Sequence, residues 1–432
     1  MTRTIWRAAV AAVALMPAVA AAQDHDHMPG MEMPAPTPTP APHDHQMADM
    51  PAPAPPGSSD GSGTSRNPGT EPMQGLHLMA GDWMLMLHGY AFAAYTDQGG
   101  PRGSNEGFVQ SMAMITAARD LAPGVALQLR SMLSLDPAMG ARGYPNLFAT
   151  GETANGVVPL IDRQHPHDLF MELSARIDVD VGTTTKLFLY GGPVAEPAIG
   201  PSAFMHRRSA QYLPLSPITH HWLDSTHISY GVVTAGIARR HWQIEASGFR
   251  GREPDQYRWG IETPGLDSWS VRATWNPSPY WSAQVSHGHI KEPEQLEPGI
   301  SEERTTASVQ YARGGLSALI AFSAKNKQPG RTLPAWLAEV SWDVTRHHTL
   351  FGRFENVAND ELFPDHADPL HDTKFRVSKV EGGYAYRLPI GKSFQLALGG
   401  AVGVYGKPAA LDAAYGTFPV SGTVFAKLSL GK

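Results

Sequence analysis

From about Asp82 onward the chain is a succession of alternating-pattern segments joined by connections that are short and long in turn. The short ones are VGTT (181–184), RRH (239–241), NPSP (276–279), RGG (313–315), RHH (346–348) and IGK (390–392). The connections between them are read as long loops, some of tens of residues. Side chains alternate across a strand, and tight turns on one rim with extended loops on the other is the rhythm of an up-and-down barrel in an outer membrane. The predicted fold class is therefore all-β, a transmembrane antiparallel barrel.

Strands are predicted near 82–95, 107–118, 123–135, 168–180, 183–191, 227–238, 241–250, 267–275, 280–290, 303–312, 315–325, 335–344, 348–357, 374–387, 393–405 and 419–429. That is about sixteen, with fourteen to eighteen open, and an even number puts both chain ends on the turn side. In 267–275, Trp269, Val271, Ala273 and Trp275 oppose Ser268, Ser270, Arg272 and Thr274. In 168–180, Leu169, Met171, Leu173, Ala175, Ile177 and Val179 are read as the lipid face. A soluble sandwich would alternate too, but it would not carry tryptophans outward. Aromatics near strand ends suggest two girdles: Trp83, Trp242, Trp275, Tyr280, Tyr311, Trp342 and Phe394 at the turn end, and Tyr95, Phe108, Tyr190, Tyr230, Trp269 and Tyr405 at the loop end. After the N-terminus no apolar run approaches the length of a membrane helix.

Residues 1–22 read as a secretory signal, with Arg3 and Arg7 before a short apolar stretch and AVA/AAA triplets before Gln23. Residues 23–75 are Pro-, Ala-, Gly- and Ser-rich, so they are expected to be disordered and periplasmic and too polar to form a plug. Residues 76–432 are assigned to the barrel. The net charge of −6 gives no sign of nucleic-acid binding. The absence of cysteine excludes disulfides and thiolate metal sites.

The tail carries His25, His27, His43 and His45 interleaved with Met28, Met31, Met33, Met47 and Met50. Thioether sulfur suits Cu(I) and imidazole suits Cu(II), Zn and Ni, so these nine residues are candidate metal ligands, with a copper ion the first choice. A signal, a DHDHMPGMEM-like tail, a Pro-rich spacer and a barrel resemble, in organisation, the copper resistance protein B type of bacterial outer-membrane protein. That resemblance implies copper binding, tolerance or transport.

Two loops, roughly 136–167 and 191–226, are much the longest and should be functional or folded inward. The first carries DRQHPHD; the second carries FMHRRSA and ITHHWLDSTH. His165, His167, Asp168, His220 and His221 are the candidate loop ligands, suited to Zn or Cu(II); the competing reading is a polar network pinning the loops through Arg163, Arg207 and Arg208. His287 and His289 on a neighbouring strand end and DHADPLHD (365–372) are placed at the same mouth. Met84, Met86 and Met132 are read as inward-facing, more as packing than as a Cu(I) track. Asp224, Ser225 and His227 form no recognisable nucleophile motif, so an enzyme is not expected. The expected partners are outer-membrane lipid, metal ions, the barrel assembly machinery and, as an option, a second copy of the chain. The alternative function is a general or substrate-specific porin with an incidental His/Met tail.

Overall fold

The computed structural model describes residues 57–263 and 265–431. Its barrel strands are β1 Trp83–Gln98, β2 Asn105–Ala122, β3 Val125–Leu133, β4 Phe170–Val181, β5 Thr185–Ala195, β6 Ser229–Arg239, β7 Trp242–Phe249, β8 Ser268–Ser278, β9 Trp281–Ile290, β10 Ser301–Arg313, β11 Leu316–Gln328, β12 Thr332–Asp343, β13 His348–Asn359, β14 Phe375–Ile390, β15 Phe394–Gly406 and β16 Val420–Leu430. Each pairs antiparallel with its sequence neighbour, and β16 closes on β1, from Ser421 opposite Gln98 to Leu430 opposite Gly89. Where β16 ends, a short strand, Leu76–Ala80, takes over the same edge of β1, so the first and last segments of the barrel together complete one seam. Closure leaves no unpaired edge, the condition for a sheet in lipid.

All sixteen predicted strands are present. Two of the connections expected to be long are not: residues 99–104 and 329–331 are brief, whereas 134–169 and 196–228 are long. The outward face is a lipid-facing belt. Val109, Leu189, Ile244, Val285, Ile320, Val402 and Val424 are all exposed. At the turn end Trp242 lies opposite Trp275, and Trp281 packs on Tyr311. The predicted loop-end girdle needs correction. Tyr95 and Trp269 face out, but Phe108, Tyr190, Tyr230 and Tyr405 are buried inside the barrel. β4 also carries bulges between Phe170 and Glu172 and between Leu173 and Ala175, which turn Met171 inward against the simple alternation. Ile320 sits mid-strand and is 61% exposed. A charge there meets hydrocarbon, so Ile320→Arg should cost about 2–4 kcal/mol in denaturant titration of the barrel refolded into vesicles. The same change at inward-facing Ser323 on this strand should not show that lipid cost.

The interior is filled from both ends. From the turn side, residues 57–75, expected to be disordered, are folded. Ser58–Asp60 pairs with Arg66–Pro68 as a hairpin. Arg66 Nη1 donates to Arg239 O and Thr70 N to Pro279 O at the turn rim. The hairpin tip is held by a charged wall: Gln243 Nε2 donates to Thr64 O at 2.8 Å, Arg272 Nη2 to Thr64 Oγ1 at 3.1 Å, and Thr64 Oγ1 to Glu245. Gly63 has φ +53°, and a Cβ there would lie 2.8 Å from Glu196 Cβ, so both conformation and space call for glycine. From the loop side, 134–169 and 196–228 fold inward as expected. Ser62 Oγ of the hairpin donates to Glu196 at 3.0 Å and accepts from Ala203 N at 2.7 Å, which joins the two plugging elements.

The 196–228 loop crosses to the far wall. Thr219 N donates to Glu355 at 3.0 Å, Trp222 Nε1 to Leu333 O at 3.0 Å, and Lys427 Nζ to Gln211 O at 2.7 Å. Arg207 forks onto Glu339 with Nε and Nη2, at 2.9 and 3.0 Å, and gives Nη1 to Asp224 at 2.9 Å. Arg353 shares Glu339 from the neighbouring strand. These side chains are shut off from solvent.

Candidate functional site

The two inward loops meet at a group of five buried histidines. His165 and His167 come from the DRQHPHD segment, where the intervening Pro166 stiffens the backbone. His220 and His221 come from the short helix His220–Leu223, and His227 from the turn that follows. Ring centroids are 5.2 Å apart for His220–His221, 5.1 Å for His220–His227, 5.4 Å for His167–His227, 6.0 Å for His165–His221 and 6.3 Å for His165–His220. One ring nitrogen from each of His165, His220 and His221 lies within 4.8 Å of the other two. Glu152, His221 and Glu253 form a second such group that shares His221.

The hydrogen bonds set the orientation of the rings. Nδ1 of four of them faces an oxygen: His165 to Pro166 O at 3.0 Å, His167 to Asp136 at 2.8 Å, His220 to Asp224 Oδ1 at 2.7 Å, and His227 to Asp224 O at 2.7 Å. With Nδ1–H donating to these oxygens, Nε2 is the nitrogen that carries the lone pair, and that of His165 is turned toward Glu152. A carboxylate or carbonyl behind Nδ1 is the usual outer support of a metal-ligating imidazole. Nε2 of His221 and of His227 is buried with no hydrogen-bond partner. His165 Nε2 is 2.9 Å from Glu152 and His221 Nδ1 is 3.3 Å from Glu253, ion-pair distances without hydrogen-bond alignment. Leaving such groups buried and unsatisfied is costly.

Burial pushes His165 down to about 3, with His221 nearby adding to the effect, and His220 down to about 4 in spite of Asp224. Both are therefore neutral, the form a metal requires. Burial also lowers His221, but the Glu253 carboxylate more than reverses it. Burial disfavours the Asp224 carboxylate, yet the His220 hydrogen bond and Arg207 hold it ionised, well below the usual range.

Gly151, with φ +115°, lies against the His221 ring, and a Cβ there would fall 2.6 Å from Nδ1. Access is from the loop-side mouth. A cavity of about 490 Å³ is lined by Glu152 and Glu253, two of the carboxylates that touch the cluster, and by Glu294, Glu361, His366 and His371.

Of the predicted loop ligands, the four histidines are brought together. Asp168 turns away to Arg258 Nη1 at 3.1 Å and the Tyr230 hydroxyl at 3.4 Å. The pinning arginines do hold the loops: Arg207 pairs Asp224 and Glu339, Arg208 pairs Asp343, and Arg163 ties its loop to Glu106 on β2. His366 and His371 reach the mouth with ring centroids 4.3 Å apart, but His287 and His289 sit on the outward parity of β9 against Glu303 and Trp269. Sequence reasoning did not single out Glu152, Glu253 or Asp136, nor place His227 among the ligands; its position in ITHHWLDSTH, beside two chosen histidines, was the available signal. Ser225 Oγ accepts from Arg304 Nη1 at 2.9 Å, and His227 spends Nδ1 on a backbone carbonyl, so these two do not form a nucleophile–base pair. The tail candidates His25, His27, Met28, Met31, Met33, His43, His45, Met47 and Met50 lie outside the described residues.

No family model and no curated relative matches the chain. Solved structures do. Salmonella typhi OmpF, in complex with daunomycin, aligns at TM-score 0.53 and 8% identity over 82% of this chain and 100% of its own. An anion-selective porin from Comamonas acidovorans aligns at TM-score 0.48 and 11% identity, covering 80% of this chain and 99% of its own. A loop-deletion form of OmpT from Vibrio cholerae aligns at TM-score 0.49 and 8% identity, covering 80% and 99%. At such identities the likeness to OmpF speaks for the fold: the chain has the sixteen-strand porin architecture, and its interior has to be understood from its own residues.

Proposed function

We propose that the chain is an outer-membrane barrel of a Gram-negative bacterium whose inward loops bind a borderline metal ion, Zn(II) or Cu(II), at His165, His220 and His221. The observation that carries this is the convergence of one ring nitrogen from each of the three within 4.8 Å, with Nδ1 of His165 and His220 already turned to an oxygen and both nitrogens of His221 without a hydrogen bond. Imidazole with nearby carboxylate suits those ions. Zn–N bonds of about 2.0–2.1 Å put tetrahedral nitrogens roughly 3.3 Å apart, so ring nitrogens now within 4.8 Å of one another need only small rotations. Glu152 or Glu253 would complete the set. The ion is cargo or signal in this reading and the role is binding, not catalysis. The His/Met tail would serve the same metal handling in the periplasm, with copper tolerance the fitting context.

The test is zinc titration calorimetry of the full chain and of a form starting at Gly57, which lacks the tail but keeps the hairpin inside the barrel. Both are expected to bind one ion at the loops, and Cu(II) in its place should give nitrogen hyperfine structure in electron paramagnetic resonance. Absence of that ion from the shorter form sinks the reading. A second reading, a general or selective porin, is favoured by the OmpF-like architecture. It expects steady conductance of the unmodified protein in planar bilayers, with no effect of micromolar zinc.

A further inference from the structure

Next to the histidine cluster, along β1 to β4, the interior turns to sulfur. Met112, Met114, Met132 and Met171 are packed together inside the barrel, and Met73, Met86 and Met205 pack against them. Seven of the chain's seventeen methionines thus gather in one place. The register shows how. His88 on β1 is directly opposite Met114 on β2, which is directly opposite Met132 on β3, so three inward positions form one row across adjacent strands. Directly paired residues hold their Cβ atoms about 4.5–5.5 Å apart, close enough for two thioethers to reach one ion. Met84 has the same inward parity but is exposed at the rim and takes no part.

The short helix Phe204–His206 connects this region to the histidine cluster. The Phe204 ring packs on His167, His220 and His227. Met205 joins the methionines, and the His206 ring lies 6.2 Å from that of His88. Neither ring nitrogen of His206 has a hydrogen-bond partner, and both are shielded from solvent. A histidine used only for packing would be expected to satisfy at least one of them. A cavity of about 90 Å³, lined by Met73, His88, Met205 and His206 among others, lies beside them.

We propose that Met114, Met132, Met205 and His206 form a second metal site, specific for a soft monovalent ion, Cu(I) or Ag(I). Thioether and neutral imidazole are the ligands such ions prefer, and thioether is a poor ligand for zinc. A packing role alone accounts for methionines, which fill irregular space readily, but it leaves the two bare nitrogens of His206 unexplained. The site does not rest on the histidine cluster. Zinc tests that cluster, silver tests this one, and either can fail alone.

The experiment is a silver nitrate titration of the full chain in chloride-free detergent, followed through 13C-labelled methionine methyl groups. Each methyl reports separately, so binding by tail methionines is seen apart from binding inside. The resonances of Met114, Met132 and Met205 should move together and saturate. In the Met114→Leu/Met132→Leu variant the Met205 response should need at least tenfold more silver, and His206→Leu should weaken it comparably. Both variants keep apolar volume, and heat-modifiable gel migration checks that the barrel has formed. The proposal is overturned if the interior methyls stay fixed while the tail methyls move. It is equally overturned if the Met205 response survives the substitutions, or if zinc moves the same resonances as silver.

Discussion

Replacing Arg207 with alanine is expected to release the 196–228 loop from the barrel wall. The guanidinium is fully buried and makes four hydrogen bonds: two to Glu339, one to Asp224 and one to Ser202 O. Breaking a buried pair by removing one partner typically costs about 3–5 kcal/mol, because the remaining charges stay buried without compensation. Glu339 keeps Arg353 and Asp224 keeps His220, so the barrel itself should persist. The strain falls on the loop, which keeps its apolar packing on the far wall, Ile218, Trp222 and Leu223 against Leu333, Leu337 and Val357, but loses its central ion network. At about 1.4 kcal/mol per tenfold, the open population should rise by two to three orders of magnitude. Planar-bilayer conductance and trypsin cleavage after Arg208 should both increase accordingly. Arg207→Lys keeps the charge but loses the two-pronged contact with Glu339, so it should fall between the two. If neither conductance nor cleavage changes in Arg207→Ala, the ion network is not what holds the loop.

The same network explains what could be read from the sequence. Strands were legible because lipid and lumen demand opposite chemistry, so alternation survives along every wall. Trp275 and Arg272, three residues apart, face opposite media. Near the loop ends the rule weakens. There the inward loops supply an apolar interior, and Phe108 stacks on Tyr144 inside the barrel at 4.4 Å, not at a lipid girdle. The hairpin at 57–75 was illegible for a related reason. Its Gly, Ser and Thr residues cannot build a core, so composition reads them as linker. They are ordered by donors and acceptors already fixed on the wall, such as Arg272 and Glu245, and no local pattern reveals that. The histidines were found because DRQHPHD and ITHHWLDSTH fall in the two longest loops. Of their carboxylate partners, Asp224 lies within the second motif, whereas Asp136, Glu152 and Glu253 lie outside both and were missed.

Asp224→Asn should lower zinc affinity about 10–100-fold while leaving the barrel folded, the usual cost of removing an outer-shell carboxylate. Asp224 Oδ1 accepts from His220 Nδ1 at 2.7 Å, which fixes the tautomer and aims Nε2 at the site. Its Oδ2 accepts from Arg207 Nη1 and from Phe204 N, so the same carboxylate ties the cluster to the ion network that anchors the loop. An asparagine keeps the size but loses the charge, and it can present an NH₂ group where an acceptor is needed. Asp168→Asn is the control. Asp168 belongs to the DRQHPHD motif and looked like a ligand in sequence, but it is spent on Arg258 and Tyr230. Its substitution should leave zinc affinity within about twofold, well below the outer-shell cost. Calorimetry of both variants separates the two roles. Equal losses would mean that the effect travels through loop stability alone, and the metal reading of the cluster would fall. A selective loss in Asp224→Asn, accompanied by easier loop release, would mean that metal binding and closure of the lumen draw on one carboxylate. An ion bound at His220 would then help hold the 196–228 loop in place.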